Sequence, residues 1–206
     1  MNILHITSSP RGDASFSNRV ANNVITELRR RHGDVVVTTR DLVRDALPHI
    51  GSEFVTATRS PQGPKTETER KLLALSDVLV DELFAADIIV LATPMINFTI
   101  PSNLKTWIDY VARAGRTFSY SAAGPKGLVT GKQVILVAAK GGVYSGNPAL
   151  DFQVPYLKSV LGFLGMTDVE VLEVEGTAYG PEAAEKAVEA ALAKLTTHCN
   201  AVAAAA

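Results

Sequence analysis

The chain has 206 residues, of which 47% are hydrophobic and 20% charged, with a formal net charge of −1. That length fits one domain, 1–206, large enough to bury well over half of the surface its unfolded chain exposes. The near-zero charge gives no electrostatic case for nucleic acid or an anionic membrane as partner, and the single cysteine, Cys199, excludes an internal disulfide framework.

Residues 2–9, NILHITSS, read as a continuous apolar strand. Residues 18–32 read as an amphipathic helix with Val20, Val24, Ile25 and Leu28 on one face, ended by Gly33. Residues 35–42 are rich in β-branched side chains and read as a second strand. The stretch 45–66 carries three prolines and two glycines without a sustained period, so it reads as a long surface connection with at most a helical turn. A clear helix follows over 67–86, then a third strand over 87–94 that is apolar on both alternations, as in a parallel sheet covered on both faces. Pro101 fits the first turn of the next helix, and 115–127 reads as an excursion or short hairpin. The fourth strand, 132–142, ends in a glycine pair. A helix over 151–166, a fifth strand over 168–177 and a closing helix over 181–199 complete the chain, with an alanine-rich tail expected to fray. Within the closing helix Cys199 stands beside His198, and adjacent helical residues point in different directions, which disfavours a Cys–His catalytic pair. No signal peptide is legible, and no apolar run approaches the ~20 residues that span a bilayer, so a cytoplasmic location without a membrane partner is expected.

Strand and helix alternate five times, which implies an α/β fold with a doubly wound five-stranded parallel sheet, helices on both faces and the strand order 2-1-3-4-5. In such sheets a ligand binds beyond the carboxyl ends of the strands, between strands one and three. Three loops belong to that edge. The first, TSSPRGDASFSN, lacks the glycine fingerprints of dinucleotide and triphosphate sites but offers the hydroxyls of Ser9, Ser15 and Ser17 and the Phe16 N–H. Hydroxyls and free backbone N–H groups cradle a terminal monophosphate, with FMN as the leading candidate; the alternative is that Ser15 or Ser17 simply caps the helix. In the second loop, Met95, Ile96 and Phe98 offer apolar surface and Asn97 an amide, as a flat ring with a polar edge requires. In the third, following Ala139, the pair Gly141–Gly142 permits a planar ring to approach the backbone and donate from its N–H groups, with Lys140 adding positive charge. The alternatives are core packing for the second loop and an ordinary turn for the third. No cluster of His, Cys or acidic residues has metal-site spacing.

These residues resemble those of the flavodoxin-like FMN-dependent NADH-azoreductase / NADH:quinone reductase family. The likeness runs through ILHITSSP, LATPMINFTIPSNLKTWIDYVARAGRTFSY, GPKGLVTGKQVILVAAKGG and PYLKSVLGFLGMTDVEVLEVEGTAYGPE, to about residue 192. The resemblance implies a homodimer with FMN near the interface, held by Ser9, Ser15 to Ser17, Met95 to Phe98 and Ala139 to Gly142. It further implies two-electron reduction of quinones and reductive cleavage of azo compounds with NADH, or NADPH, as donor. Ile96 stands where tyrosine is frequent in the family and Lys140 where arginine is common, and both bear on substrate preference. No side chain need act as acid or base, because the flavin carries the chemistry. Phe118, Tyr120 and Phe163 are candidate walls of the substrate pocket, while Trp107 reads as core or dimer contact and His5 as a satisfied buried histidine. Three other readings stand beside this one: an electron carrier, a hydrolase using Ser9, and a cofactor-free binding module.

Overall fold

The structure, a computed structural model, describes the backbone of residues 1–203 and the side chains of residues 1–147 and 149–195. The side chains of His198 and Cys199 and the tail beyond residue 203 lie outside the described residues.

The sheet is built from β1 (Asn2–Thr7), β2 (Val36–Asp41), β3 (Ile88–Pro94), β6 (Gln133–Ala139) and β7 (Asp168–Val174). These strands are all parallel, in the order β2-β1-β3-β6-β7. The missing numbers belong to a separate antiparallel hairpin, β4 (Phe118–Ser121) and β5 (Gly124–Gly127), where the sequence predicts an excursion. The helices are α1 (Phe16–His32), α2 (Ser52–Arg59), α3 (Glu67–Ala85), α4 (Ser102–Val111), α5 (Val154–Leu164) and α6 (Pro181–Ala203).

The period-two alternation of the strands divides the core. Ile3, Ile88, Val90, Ile135, Val137 and Leu172 pack with Val20, Val24 and Leu28 of α1 and Val188 of α6. Leu4, Ile6, Ile89, Leu91 and Leu136 pack on the opposite face with Leu79 and Leu83 of α3, Leu104 and Trp107 of α4, and Leu157 and Leu161 of α5. Trp107 is therefore core. His5 is buried as expected, but its Nε2 finds no partner among the described residues, so the expectation of a satisfied ring is corrected.

Helix α2 emerges from the stretch read as irregular, because it buries only Phe54 and Ala57 and so shows too few apolar positions to display a period. Helix α3 begins in a capping box between Thr66 and Glu69. Helix α1 starts at Phe16, two residues earlier than its apolar stripe suggests, because Ser15 caps it. At the far side of the sheet, β5 lies against the C-terminal end of α5. A side chain on Gly127 would collide with the backbone of Leu164 and Gly165, so the hairpin seats on the helix backbone to backbone.

Candidate functional site

Strand β1 delivers the chain to Ser8 and Ser9 at the carboxyl edge of the sheet, and a single 3-10 turn, Gly12–Ala14, leads into α1. Ser15 Oγ accepts from the Asn18 N–H at 3.3 Å, so the capping alternative holds for Ser15. Ser15 Oγ also lies 3.0 Å from Ser17 Oγ, and one hydroxyl hydrogen of the pair remains available. Ser9 Oγ accepts from the Arg11 N–H at 3.4 Å and keeps its own hydrogen to donate. The N–H groups of Phe16 and Ser17 have no acceptor among the described residues. They open a helix of 17 residues, whose N-terminal partial charge favours an anion. Arg11 crosses this end with its guanidinium carbon 5.1 Å from the Phe16 ring centroid.

Beyond β3 the chain closes a two-residue turn. The Ile96 N–H donates to the Thr99 carbonyl at 2.9 Å and the Thr99 N–H to the Ile96 carbonyl at 3.1 Å. Its central residues, Asn97 and Phe98, have φ of 49° and 70°. Positive φ at both positions is the geometry of a type I′ turn, normally made by Asn-Gly. Asparagine tolerates it, whereas phenylalanine carries a steric cost of about 1–2 kcal/mol. Such strain collects at functional sites. The Phe98 ring stays half-exposed, edge-on to Tyr144 with centroids 6.5 Å apart.

After β6 the carbonyls of Lys140, Gly141 and Gly142 accept from Thr177, Ala178 and Gly176, which stitches this loop to the one following β7. The carbonyls are thus spent, while the Gly141 and Gly142 N–H groups have no acceptor among the described residues. A Cβ on Gly142 would press on the Tyr144 ring at 3.3 Å.

Ser9, Ser15, Phe16, Met95, Ile96, Ala139 and Gly141 line one cleft of about 330 Å³. It lies beyond the ends of β1, β3 and β6, where the sequence places it. Asn97 faces an adjoining cleft of about 830 Å³ that shares Pro10 and Ile96 with the first and extends past Leu42, Pro101 and Tyr156. Ser17 sits behind Ser15 and is fully buried.

One expectation needs correction. The Lys140 side chain does not face the cleft. It is 1% exposed, and its Nζ donates to Asp151 at 2.8 Å, Glu173 at 2.6 Å and Glu175 at 3.3 Å. Burial opposes its charge, but the hydrogen bonds to Asp151 and Glu173 outweigh that and hold the ammonium above the usual lysine range. Phe118, Tyr120 and Phe163 stand apart from both clefts of their own chain. They form their own cluster where the hairpin covers α5, with Phe118 4.6 Å from Phe163 and 5.4 Å from Tyr120 between ring centroids.

Sequence reasoning missed Thr177 and Ala178, which complete the cleft wall. The signal was present: EGTAYGP is another glycine-flanked loop at the same edge of the sheet.

A family model described as having a flavodoxin-like fold matches residues 1–199. The chain is 49% identical over 204 residues to an FMN-dependent NADH:quinone oxidoreductase of Mesorhizobium japonicum, covering 98% of this chain and 95% of the relative. It is 53% identical over 196 residues to a protein of the same name from Agrobacterium fabrum, covering 94% and 96%. The crystal structure of an azoreductase from Bacillus anthracis superposes with a TM-score of 0.88 at 32% identity, covering 97% of this chain and 99% of that one.

Proposed function

From the premise that the chain belongs to this flavodoxin-like family, we propose that it is an FMN-dependent NADH:quinone oxidoreductase that also cleaves azo compounds reductively. One observation carries the reading: unpaired backbone donors stand at two places on one sheet edge, Phe16 and Ser17 at one and Gly141 and Gly142 at the other, with a strained apolar turn beside the cleft. Phe16, Ser17 and Gly142 are buried or half-buried, and N–H groups without acceptors at such places suit a ligand that supplies them, while exposed Gly141 lines the cleft itself. Counted by sheet strands alone, the arrangement corresponds to the order 2-1-3-4-5, and the cleft occupies its switch point.

The residues fit FMN. Ser9, Ser15 and the N–H groups that open α1 hold the phosphate with hydroxyls and helix charge, and Ser17 supports Ser15 from behind through their shared hydrogen bond. Met95 and Ile96 give the ring an apolar face, and Asn97 and Phe98 present unengaged N–H groups nearby. Gly141 and Gly142 donate to the edge of the ring where negative charge develops on reduction. When bound, FMN supplies the chemistry of taking a hydride equivalent from NADH or NADPH and passing two electrons to the acceptor. No side chain of the cleft is placed as an obligatory acid or base.

The same reading takes the whole chain as one FMN-binding domain and a homodimer as the working form. Tyr120 is 72% exposed and belongs to an aromatic cluster remote from the clefts of its own chain, so these rings wall the substrate site only if a second copy brings them there. Titration with FMN and with riboflavin tests the phosphate end. Charge-assisted hydrogen bonds contribute about 1.5–3 kcal/mol each, so FMN binds at least tenfold tighter than riboflavin. Ser9→Ala narrows that ratio. Equal affinities for the two would contradict the assignment.

A further inference from the structure

We propose that Lys140 is a positioning residue for the flavin: through Asp151, Glu173 and Glu175 its buried ammonium fixes the backbone of the adjoining glycine pair, of which Gly141 lines the cleft. The inference rests on the FMN reading above. Its basis is a mismatch between what neutralisation needs and what the structure provides. One carboxylate would pair a buried ammonium, yet three reach it, from two segments: Asp151 ahead of α5, and Glu173 and Glu175 at the end of β7.

Two of the three carboxylates have a second grip. Glu175 accepts from the Tyr144 N–H at 3.0 Å and the Ser145 N–H at 3.4 Å, on the loop that continues from the glycine pair. Asp151 accepts from the N–H groups of Gln153 and Val154 at 2.9 and 3.2 Å, fixing the entry to α5. Glu173 belongs to β7, which pairs with β6, the strand that Lys140 directly follows. The ammonium therefore joins both ends of the 140–153 connection to the neighbouring strand. Without it, three carboxylates would share one enclosed point, and like charges at such separations drive the segments apart or force protonation.

The consequence falls on the glycine pair, which follows Lys140 directly in the chain. Its N–H groups point usefully only while the loop holds its course. Donors aimed at developing negative charge matter more to the reduced flavin than to the oxidised form. Loosening the clamp therefore weakens both states and the reduced one more.

Lys140→Met keeps the apolar stem and removes the charge. We expect it to raise the FMN dissociation constant at least tenfold. We expect a further loss of about tenfold for reduced FMN, which lowers the two-electron midpoint by about 30 mV. In FMN-free protein the Tyr144 and Ser145 amides should exchange hydrogen at least tenfold faster. Lys140→Arg, which keeps the charge and the donors, should restore FMN affinity to within threefold of the original. If Lys140→Met does not fold, Glu175→Gln carries the test, with FMN binding weakened about threefold and the same two amides deprotected. Glu82→Gln, which breaks an enclosed ion pair with Arg40 between β2 and α3, should lower stability and leave the midpoint in place. Unchanged FMN affinity, midpoint and Tyr144 exchange in Lys140→Met, or in Glu175→Gln where only that variant folds, would overturn the proposal while leaving FMN binding intact. Failure of the unaltered protein to bind FMN would instead overturn the FMN reading and Lys140's role toward the flavin with it.

Discussion

The turn at Asn97–Phe98 permits a test in which the sign of the effect decides. Phe98 has φ of 70°, in the left-handed region. Replacing it by glycine and, separately, by alanine removes the same ring and the same edge contact with Tyr144, so those losses cancel between the two variants. The backbone terms remain. Alanine in this conformation costs about 1–2 kcal/mol in the folded state. Glycine forfeits about 0.4–1 kcal/mol through the freedom of its unfolded chain. The difference leaves Phe98→Gly the more stable by roughly 1 kcal/mol. At an ordinary φ the order would reverse, because only the unfolded-state term would act. Urea unfolding at fixed protein concentration measures the gap. For a chain of this length 1 kcal/mol corresponds to about 2–4 °C in Tm. If Phe98→Ala matched or exceeded Phe98→Gly in stability, the turn would not hold the strained geometry, and the reasoning that links strain to the site would fail.

Two further outcomes follow from the fold. Gly127→Ala drives a methyl into the backbone of Leu164 and Gly165, which no rotamer change relieves, and should cost about 2–3 kcal/mol in urea unfolding. Gly146→Ala, where a Cβ meets open space, is its control. His5 is buried, and desolvation depresses its pKa despite the charge of Asp41. Its unfolded counterpart takes up a proton near pH 6.5 while the folded ring stays neutral, so the unfolded state binds more protons below that pH. Stability should therefore fall as pH drops through about 6.5 towards the lower folded value, and His5→Leu should flatten that part of the profile.

The fold was legible because its central strands β3 and β6 are apolar on both faces and most of its helices are long enough to show their period. Ile88 to Ala92 could serve no other purpose than a strand covered on both sides. Helix α2 was not legible, since two buried residues in eight set no rhythm. Much of the cleft was legible for a topological reason: once the strand order is inferred, the loops after β1, β3 and β6 must converge. The fate of Lys140 was not. Its neighbours in the sequence suggest a cation at the ligand, whereas its three partners lie 11, 33 and 35 residues further on, brought to it by the return of the chain into α5 and by the pairing of β6 with β7. The place of the aromatic trio Phe118, Tyr120 and Phe163 relative to the cleft of its own chain was not legible for a similar reason. The alternation in the hairpin is real, but the hairpin leans on α5 rather than on the cleft.

The most direct test of the account is an anaerobic absorption spectrum of the FMN-loaded protein, recorded before and after NADH and again after a quinone. The account predicts that NADH bleaches the flavin band within a turnover and that quinone restores it without NADH present, the two half-reactions of a ping-pong reductase. A bound flavin that neither NADH nor NADPH bleaches would contradict it and point to an electron carrier on the same fold.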